Sequence, residues 1–406
     1  MRYRPGMSST GLPTAIPAPP APLAPRLERL WALDPTYTFL NHGSFGAVPR
    51  AIREAFIAVQ DRIESRPIEF IDRRIQELIL PARERVAAFL GIAPDSFGFV
   101  TNATEGVNAV LRSLDFRPGD ELLTTSHVYN AVRNAMKYRG RQTGAVYVEV
   151  PVPLPINRPQ EIVDALVAAM NPRTRLVVVD HVTSPTALVF PVEQLARECR
   201  ARNIELLVDG AHVPGMLDVD VDAIGCTYWT GNLHKWPCAP KGSAVLWVAP
   251  ERRADIHPVT ISHFLDQGFV REFDWQGTRD LAAWAVSGQA IDFMGQFGWD
   301  KVRAHNRQMA AWANRLWCER WDVEPISPAD HSMLGFMATV PLPAEIPARY
   351  ATPMDFQKAL YAEDRIEVPI IDFGGRWHAR ASAQVYNRAE EYERLAQAVL
   401  EHARRA

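Results

Sequence analysis

Short apolar runs alternate with longer stretches of helical periodicity between residues 97 and 248. The runs are four to six residues long and cover residues 97–100, 121–125, 145–150, 175–180, 204–209, 227–230 and 243–248. Strands that alternate with helices indicate βαβ units and a largely parallel sheet. Such sheets are covered on both faces, so their strands are apolar almost throughout, as these runs are. The pattern therefore predicts an α/β fold.

Helical periodicity dominates on either side of this region. Residues 50–61 and 68–90 are helical in pattern, and Gly91 ends the second helix. After about residue 280 the alternation stops, and the pattern predicts helices at 281–297, 299–319 and 389–405, the last after a mixed segment. This change predicts a second, smaller α+β domain.

The chain has 406 residues, which is more than a single hydrophobic core commonly holds, so two domains are expected. Residues 1–35 are rich in Pro and Ala and predict a flexible leader without the apolar stretch of a secretory signal. Residues 36–280 are expected to form the large domain, with its N-terminal part a candidate to pack on the small domain. Residues 281–406 are expected to form that small domain.

Composition and charge exclude several classes of function. A net charge of −3 gives no basic surface for nucleic acid or an anionic membrane. The apolar runs are too short to span a bilayer, so we expect a cytoplasmic protein without membrane or nucleic-acid partners. The four cysteines form no CxxC pair, and His234 with Cys238 is only half of a metal site, so no metal is expected.

Polar residues follow five of the predicted strands, and ligands bind at the carboxyl ends of strands in open α/β sheets. Lys235 lies between two apolar runs, where a lowered pKa would give a reactive amine; a solvated loop lysine is the alternative. Asp209 ends an apolar run, and a buried carboxylate needs a cationic partner such as a pyridinium nitrogen. Residues 101–106 open a helix and could bind an anion or form a plain cap. Together these features indicate pyridoxal 5′-phosphate.

Eight phrases, in order, resemble the class V aminotransferase family of pyridoxal-phosphate enzymes, and most closely its isopenicillin N epimerase-like subgroup. They are FLNHGSFGAVP, TNATEGVNAV, HVYNAVRN, DHVTSPTALVFP, LLVDGAHVPG, TGNLHKW, FDWQGTRD and RASAQVYN. The resemblance extends from about Tyr37 to the C-terminus. It implies PLP fold type I, with a mostly parallel central sheet in a large domain and a smaller C-terminal α+β domain.

The resemblance also assigns roles to individual residues. Lys235 resembles the lysine that forms an aldimine with the cofactor and then moves the Cα proton, and Asp209 the acid that keeps the ring nitrogen protonated. Tyr129 resembles the aromatic residue stacked on the ring, with His127 the less favoured alternative. Lys235, Asp209 and Tyr129 are thus the implied catalytic residues. The other implied cofactor-binding residues are Ala103, Thr104, Thr183, Ser184, His212, Asn232, His234 and Thr278.

The substrate and the second subunit are implied in the same way. Arg380 resembles the arginine that binds the substrate α-carboxylate, although from the residues alone a surface arginine would be preferred. Asn41 and His42 match the turn that lines the substrate pocket. Thr278 resembles a residue that reaches the phosphate of the neighbouring subunit, which implies a homodimer with its sites at the subunit interface.

The reaction remains open at this stage. The resemblance implies proton removal from the Cα of an amino acid through a lysine aldimine and a quinonoid, and an epimerase is favoured. A C–S β-lyase of a cysteine conjugate, similar to hercynylcysteine sulfoxide lyases, and an aminotransferase are the alternatives. A cysteine desulfurase is disfavoured because no Cys follows Cys318, which lies in a helical pattern. A non-catalytic PLP-binding regulator and a nicotinamide enzyme are weaker rivals, because no DNA-binding pattern and no GxGxxG after an early strand are present.

Overall fold

The computed structural model describes residues 16–405. The strands are β1 (Thr38–Phe39), β2 (Phe97–Val100), β3 (Glu121–Thr125), β4 (Val146–Val150), β5 (Thr174–Asp180), β6 (Glu205–Asp209), β7 (Tyr228–Asn232), β8 (Ala244–Val248), β9 (Met337–Pro341), β10 (Ile366–Glu367), β11 (Ile370–Phe373) and β12 (Arg376–Ser382). The helices are α1 (Arg50–Ser65), α2 (Ile75–Leu90), α3 (Ala103–Ser113), α4 (Asn130–Thr143), α5 (Gln160–Ala169), α6 (Val192–Arg200), α7 (Val221–Ile224), α8 (Phe269–Asp274), α9 (Ala282–Ala285), α10 (Ser287–Gly295), α11 (Trp299–Trp321), α12 (Glu345–Arg349), α13 (Pro353–Asp364) and α14 (Ala389–Arg404). Short 3-10 or π turns cover Leu27–Leu30, Glu69–Arg73 and Pro250–Asp255.

A seven-stranded sheet forms the centre of the large domain, with the strand order β2-β8-β7-β6-β5-β3-β4. Strands β3 to β7 pair in parallel, whereas β8 runs antiparallel to both of its neighbours. These are the seven apolar runs of the sequence, and none differs from its strand by more than two residues at either end. The predicted α/β fold with a mostly parallel sheet is confirmed.

A smaller antiparallel sheet, in the order β11-β12-β9, forms the centre of the second domain. Helix α11 packs on it through Trp312, Leu316 and Trp317, and helix α14 contributes Tyr392 and Leu395 to the same core. Strand β1 pairs with β10 of this domain, and Leu40 lies in its core. The N-terminal segment of the chain therefore packs on the small domain.

The change from one hydrophobic core to the other falls within α11. Leu281, Trp284 and Ile291 belong to the core of the large domain, as does Val302 near the start of α11. Met309, about two turns further along the helix, belongs to the core of the small domain. This differs from the expected boundary at residue 281, because helical periodicity alone does not reveal which core a helix covers.

Of the expected leader, residues 1–35, the first fifteen lie outside the described residues. The rest of it packs against the protein: Leu27 and Trp31 are buried, and the Trp312 Nε1–H donates to the Pro17 carbonyl at 3.0 Å. Residues 16–31 thus differ from the expected flexible leader. Besides prolines, this segment contains large apolar side chains, and their burial against the protein is favourable.

Among residues 16–405, no helix is both long and apolar enough to cross a membrane. The cytoplasmic location expected from the sequence remains a prediction.

Candidate active site

A cavity of about 530 Å³ opens at the carboxyl ends of β5, β6 and β7. Its walls also include the start of α3, the turn after β1 and a single side chain from β12. Gly46 lets that turn approach the loop after β7, because a Cβ there would lie 2.3 Å from the His234 carbonyl oxygen. The cavity is lined by Gly43, Ser44, Phe45, Thr101, Asn102, Ala103, Thr104, Tyr129, Asp180, Val182, Ser184, Asp209, Ala211, His212, Asn232, His234, Lys235, Lys241, Gly242 and Arg380.

The start of α3 forms the end of the cavity suited to an anion. Asn102 caps the helix, since its side-chain oxygen accepts the Glu105 N–H at 2.9 Å. The Ala103 N–H donates to the Asn232 side chain at 2.8 Å, which joins the helix to the end of β7. The Thr104 side chain lines the cavity beside them. The positive end of the helix dipole is therefore directed at a site with polar donors, as anion sites require.

Lys235 extends from the loop after β7 into the cavity, and its Nζ lies 3.1 Å from His212 Nε2. Burial, followed by the Arg380 charge, lowers the pKa of the Lys235 ammonium to about 7, although Asp209 and Asp180 oppose the shift. An amine with this pKa is neutral in a large fraction of molecules near pH 7. It can therefore act as a nucleophile toward an aldehyde or as a base.

Asp209 ends β6 with only 4% of its surface exposed. Its carboxylate accepts the Ala211 N–H at 2.9 Å. Burial raises the pKa of Asp209, while the Ala211 N–H and the Lys235 charge lower it. A buried acid with this small set of partners is suited to hold a further cation or N–H group.

Asp180 is a cavity residue to which the sequence assigned no role. It ends β5 in register with Asp209 on β6, and both side chains line the cavity. Burial and the Asp209 charge together raise the pKa of Asp180 well above its usual value. Its signal in the sequence is the same as that of Asp209, an acid at the end of an apolar run.

Two histidines complete the large-domain side of the cavity. The Nδ1 atom of His212 is buried without a hydrogen-bond partner among the described residues. Burial, followed by the Lys235 charge, lowers the pKa of His212 well below its usual value, so this ring is neutral. His234 Nδ1 lies 3.0 Å from the Ser243 carbonyl oxygen, and burial lowers the pKa of His234 to about 4.

Arg380 is the contribution of the small domain, and only 4% of it is exposed. Its Nη1 donates to the carbonyl oxygen and the hydroxyl of Ser184 at 2.6 and 3.0 Å, and its Nη2 donates to the Ser44 hydroxyl at 2.8 Å. Within residues 16–405 no carboxylate pairs with it, and burial lowers its pKa to about 10. A buried guanidinium held only by neutral acceptors is suited to bind an anion.

Most of the predicted cofactor residues line this one cavity, including Tyr129, which is 43% exposed. Thr183 does not line it. Its hydroxyl is buried, lies 2.7 Å from the Thr186 hydroxyl and accepts the Leu188 N–H, so this side chain closes its own turn. His127 is likewise buried outside the cavity and contacts Thr186 and the Val152 carbonyl oxygen.

Asn41 and His42 do not line this cavity, so their expected place at the substrate pocket stays a prediction. The Asn41 amide donates to Glu367 at 3.0 Å, and the His42 ring lies between the Tyr386 hydroxyl and the Lys235 carbonyl oxygen, at 2.8 and 3.0 Å. The next residues of the same turn, 43–45, line the cavity instead. A turn pattern places a segment at a site but does not fix which side chains point inward.

Thr278 is exposed and does not line the cavity of its own chain. Its expected contact with a neighbouring subunit therefore stays a prediction. Lys241, on the loop between β7 and β8, lines the cavity and donates to the Gly46 carbonyl oxygen. Ser44 has no signal in the sequence, because its importance comes from Arg380, 336 residues away.

The residues present fit pyridoxal 5′-phosphate. The start of α3 offers donors and a dipole for the phosphate, Asp209 an acid for the ring nitrogen, and Lys235 an amine for the aldehyde. The Nδ1 atom of His212 is buried and has no hydrogen-bond partner among the described residues, so it is available to a bound group. In contrast, no cysteine among residues 16–405 lines the cavity; Cys238 is buried beside His42, with its Sγ 3.8 Å from the ring.

Comparisons with known proteins identify the family and the fold of this chain. The family model described as "Aminotransferase class-V" matches residues 56–353. Isopenicillin N epimerase of Amycolatopsis lactamdurans is 34% identical over 91% of this chain and 96% of its own length. A protein named putative L-cysteine desulfhydrase 1, from Oryza sativa subsp. japonica, is 29% identical over 89% and 82%. The apo structure of a cysteine desulfurase from Thermococcus onnurineus has a TM-score of 0.75 at 18% identity, covering 92% of this chain and 96% of its own, which shows the shared fold.

Proposed function

Since the chain belongs to the aminotransferase class-V family of pyridoxal-phosphate-dependent enzymes, we propose that it is an epimerase that inverts the Cα of an amino-acid substrate. Its cofactor, pyridoxal 5′-phosphate, stabilises negative charge at the Cα when bound. The protein positions the substrate and moves the proton. The more specific proposal is supported by the 34% identity to an isopenicillin N epimerase over nearly the whole chain.

The large domain holds the cofactor in this proposal. Ala103 and Thr104 at the start of α3, with Asn232 and His234, bind the phosphate. Asp209 would keep a proton on the ring nitrogen, a role suited to a buried acid whose side chain has, within residues 16–405, one hydrogen-bonded neighbour, the Ala211 N–H. His212 and Ser184 would hold the ring hydroxyl side of the cofactor, and Lys235 would bind its aldehyde carbon.

Arg380 binds and orients the substrate carboxylate through charge-assisted hydrogen bonds. Once the substrate amino group has displaced Lys235 from the aldehyde carbon, the freed Lys235 amine would take the proton from Cα, since its pKa of about 7 lets it accept and return a proton near neutral pH. Tyr129 supplies a proton from a second position, because inversion requires a proton donor other than the group that removed the first one. Removal of solvent by the buried walls strengthens each of these interactions.

One observation carries the choice of epimerase: Lys235 and Tyr129, two groups that can transfer protons, come from different loops and line the cavity into which Arg380 projects. Tyr129 and Arg380 line the same cavity, and Ser184, which accepts hydrogen bonds from Arg380, lines it with them. Tyr129 therefore lies near the group that would hold the substrate. This arrangement offers the two proton donors that epimerisation needs.

The experiment follows the Cα proton in D2O together with the handedness of the product. The wild-type enzyme should exchange the proton and interconvert the two enantiomers. Tyr129→Phe should still exchange the proton through Lys235 but lose inversion by roughly 100-fold, the order of a general-acid contribution. Tyr138→Phe is the matched control, since Tyr138 is an exposed tyrosine on α4 outside the cavity. Equal inversion in the Tyr129→Phe variant would remove Tyr129 from this role.

A C–S β-lyase is the second candidate, favoured by the 29% identity to a protein named L-cysteine desulfhydrase. The same cavity would then expel a sulfur group from Cβ, for which only Lys235 is needed as a proton-transfer group. Pyruvate and a sulfur product formed from a cysteine conjugate, without inversion, would decide for the lyase. Conversion of the amino-acid substrate to its 2-oxo acid, with its amino group transferred to added pyruvate to give alanine, would decide for an aminotransferase.

The homodimer is proposed on the same basis, with Thr278 of each chain completing the phosphate site of the other. The position of Thr278, exposed and outside the cavity of its own chain, is compatible with this role. Light scattering should give twice the chain mass of 45.5 kDa. Thr278→Ala should weaken cofactor binding without changing that mass.

A further inference from the structure

A second cavity lies next to the active site, and we call it the side groove. It has a volume of about 1020 Å³ and extends along the carboxyl edge of β3, β4 and β5 to the β11–β12 hairpin. Its walls are mainly apolar and include Pro153, Leu154, Pro185, Ile326 and Phe373. Nothing in the proposed catalytic mechanism uses this space.

The side groove is continuous with the active site. Tyr129 and Ser184 line both cavities. Ser184 is also the residue whose carbonyl oxygen and hydroxyl accept hydrogen bonds from Arg380. An amino acid whose carboxylate pairs with Arg380 would therefore lie beside Ser184, at the opening between the two cavities.

The volumes show where a long side chain would fit. The active-site cavity, at about 530 Å³, has to hold the cofactor together with the reacting end of the substrate. The side groove is nearly twice as large, at about 1020 Å³, and has no other predicted occupant. Atoms beyond Cβ thus find their space in the side groove.

The charged groups of the side groove indicate the chemistry of that side chain. The Arg133 guanidinium is already paired with Glu149 at 2.8 Å and donates to the Ser126 carbonyl oxygen. The other charged lining residues, Glu324, Asp372 and Arg376, carry both signs. Mixed charges at the rim and apolar walls within favour an extended substituent that carries no net charge, such as a thioether or an amide-linked chain.

We propose that the side groove binds the substrate side chain beyond Cβ and that the enzyme acts on amino acids with long, uncharged substituents in preference to cysteine or alanine. This inference rests on the proposed action at the Cα of an amino acid. It applies equally to epimerisation and to β-elimination, since both begin with loss of the Cα proton.

The first test measures Cα-proton exchange in D2O by the wild-type holoenzyme, across alanine, 2-aminobutyrate, norvaline, norleucine and S-benzylcysteine. Exchange is independent of which product forms. We expect kcat/KM for exchange to rise about fourfold for each methylene that enters the side groove. Equal values along the series, or a preference for alanine, would overturn the proposal. Absence of exchange with every amino acid would instead contradict the proposed function, and the proposal with it.

The second test fills the side groove. Pro153→Trp places a large side chain at an exposed position of its wall, and Val146→Trp, at the opposite end of β4, is the matched control. Pro153→Trp should lower kcat/KM at least about tenfold for norleucine and S-benzylcysteine, while alanine and the cofactor absorbance stay as in the wild type. An equal loss for all substrates would overturn the proposal. A change of oligomeric state with no change in substrate preference would show that a second copy of the chain covers the side groove, and would also overturn it.

Discussion

Two walls of the active-site cavity are assembled in different ways. The cofactor wall consists of Asp180, Asp209 and Lys235, which end or follow neighbouring strands of one hydrogen-bonded sheet. The substrate wall consists of Arg380 and the two serines that hold it, Ser44 and Ser184, which come from three separate segments. The first wall is fixed by a single sheet, whereas the second depends on how the two domains meet. Substitutions in the first should therefore alter the chemistry, and those in the second should alter binding.

The largest effect is expected for Lys235→Ala on the cofactor wall. The variant loses the only amine proposed to bind the aldehyde and to move the Cα proton, so exchange should fall by about 10³-fold or more. Borohydride should no longer fix the cofactor to the protein, which mass spectrometry would show. Lys241→Ala removes the other lysine of the same loop and should retain covalent fixation. If only Lys241→Ala lost covalent fixation, Lys241 and not Lys235 would be the lysine that binds the cofactor.

A smaller effect, and one of a different kind, is expected for Arg380→Ala on the substrate wall. Charge-assisted hydrogen bonds contribute about 1.5–3 kcal/mol, so KM should rise roughly 10- to 100-fold. Cofactor affinity should change far less than KM, since Arg380 is proposed to bind the substrate and affects Lys235 only through its charge. Arg349→Ala, an exposed arginine on α12, serves as the control. If Arg380→Ala lowered cofactor affinity and left KM unchanged, Arg380 would belong to the cofactor site and not to the substrate site.

The two walls also differ in how far the sequence predicts them. Asp209 and Lys235 stand out because a charge within an apolar run is costly unless it has a function, and the strands themselves are visible as runs. Asp180 gives the same signal, but its raised pKa results from burial and from its register with Asp209, and only the folded sheet reveals both. On the substrate wall, Arg380 is identified by family resemblance alone. Its contact with Ser44 joins residues 336 positions apart, and no local pattern reports such a contact.

The pH dependence of cofactor attachment tests the cofactor wall without a mutation. Burial lowers the pKa of Lys235 to about 7, so the neutral amine predominates above that pH. Below pH 7 its fraction falls about tenfold per unit, and the rate of covalent attachment to the cofactor-free protein should fall likewise. Stopped-flow absorbance would measure this rate, with Nα-acetyl-lysine as the reference amine. A rate that still rises toward pH 10, as for an ordinary lysine, would contradict the lowered pKa of Lys235.

The smallest effect is expected for Asp180→Asn, and it separates two identical residues within one wall. Burial, together with the neighbouring Asp209, raises the pKa of Asp180 well above its usual value. We therefore expect the protonated form of Asp180 to be favoured, and the amide of asparagine resembles that form. Exchange and cofactor affinity should therefore change by less than about threefold, because little charge is removed. Asp209→Asn should instead weaken both by about 100-fold, since it removes the acid proposed to hold the proton of the ring nitrogen. Absorbance titration of each variant with the cofactor would compare their cofactor affinities. Similar losses in both would mean that Asp180 is ionised and that the two carboxylates act as a pair.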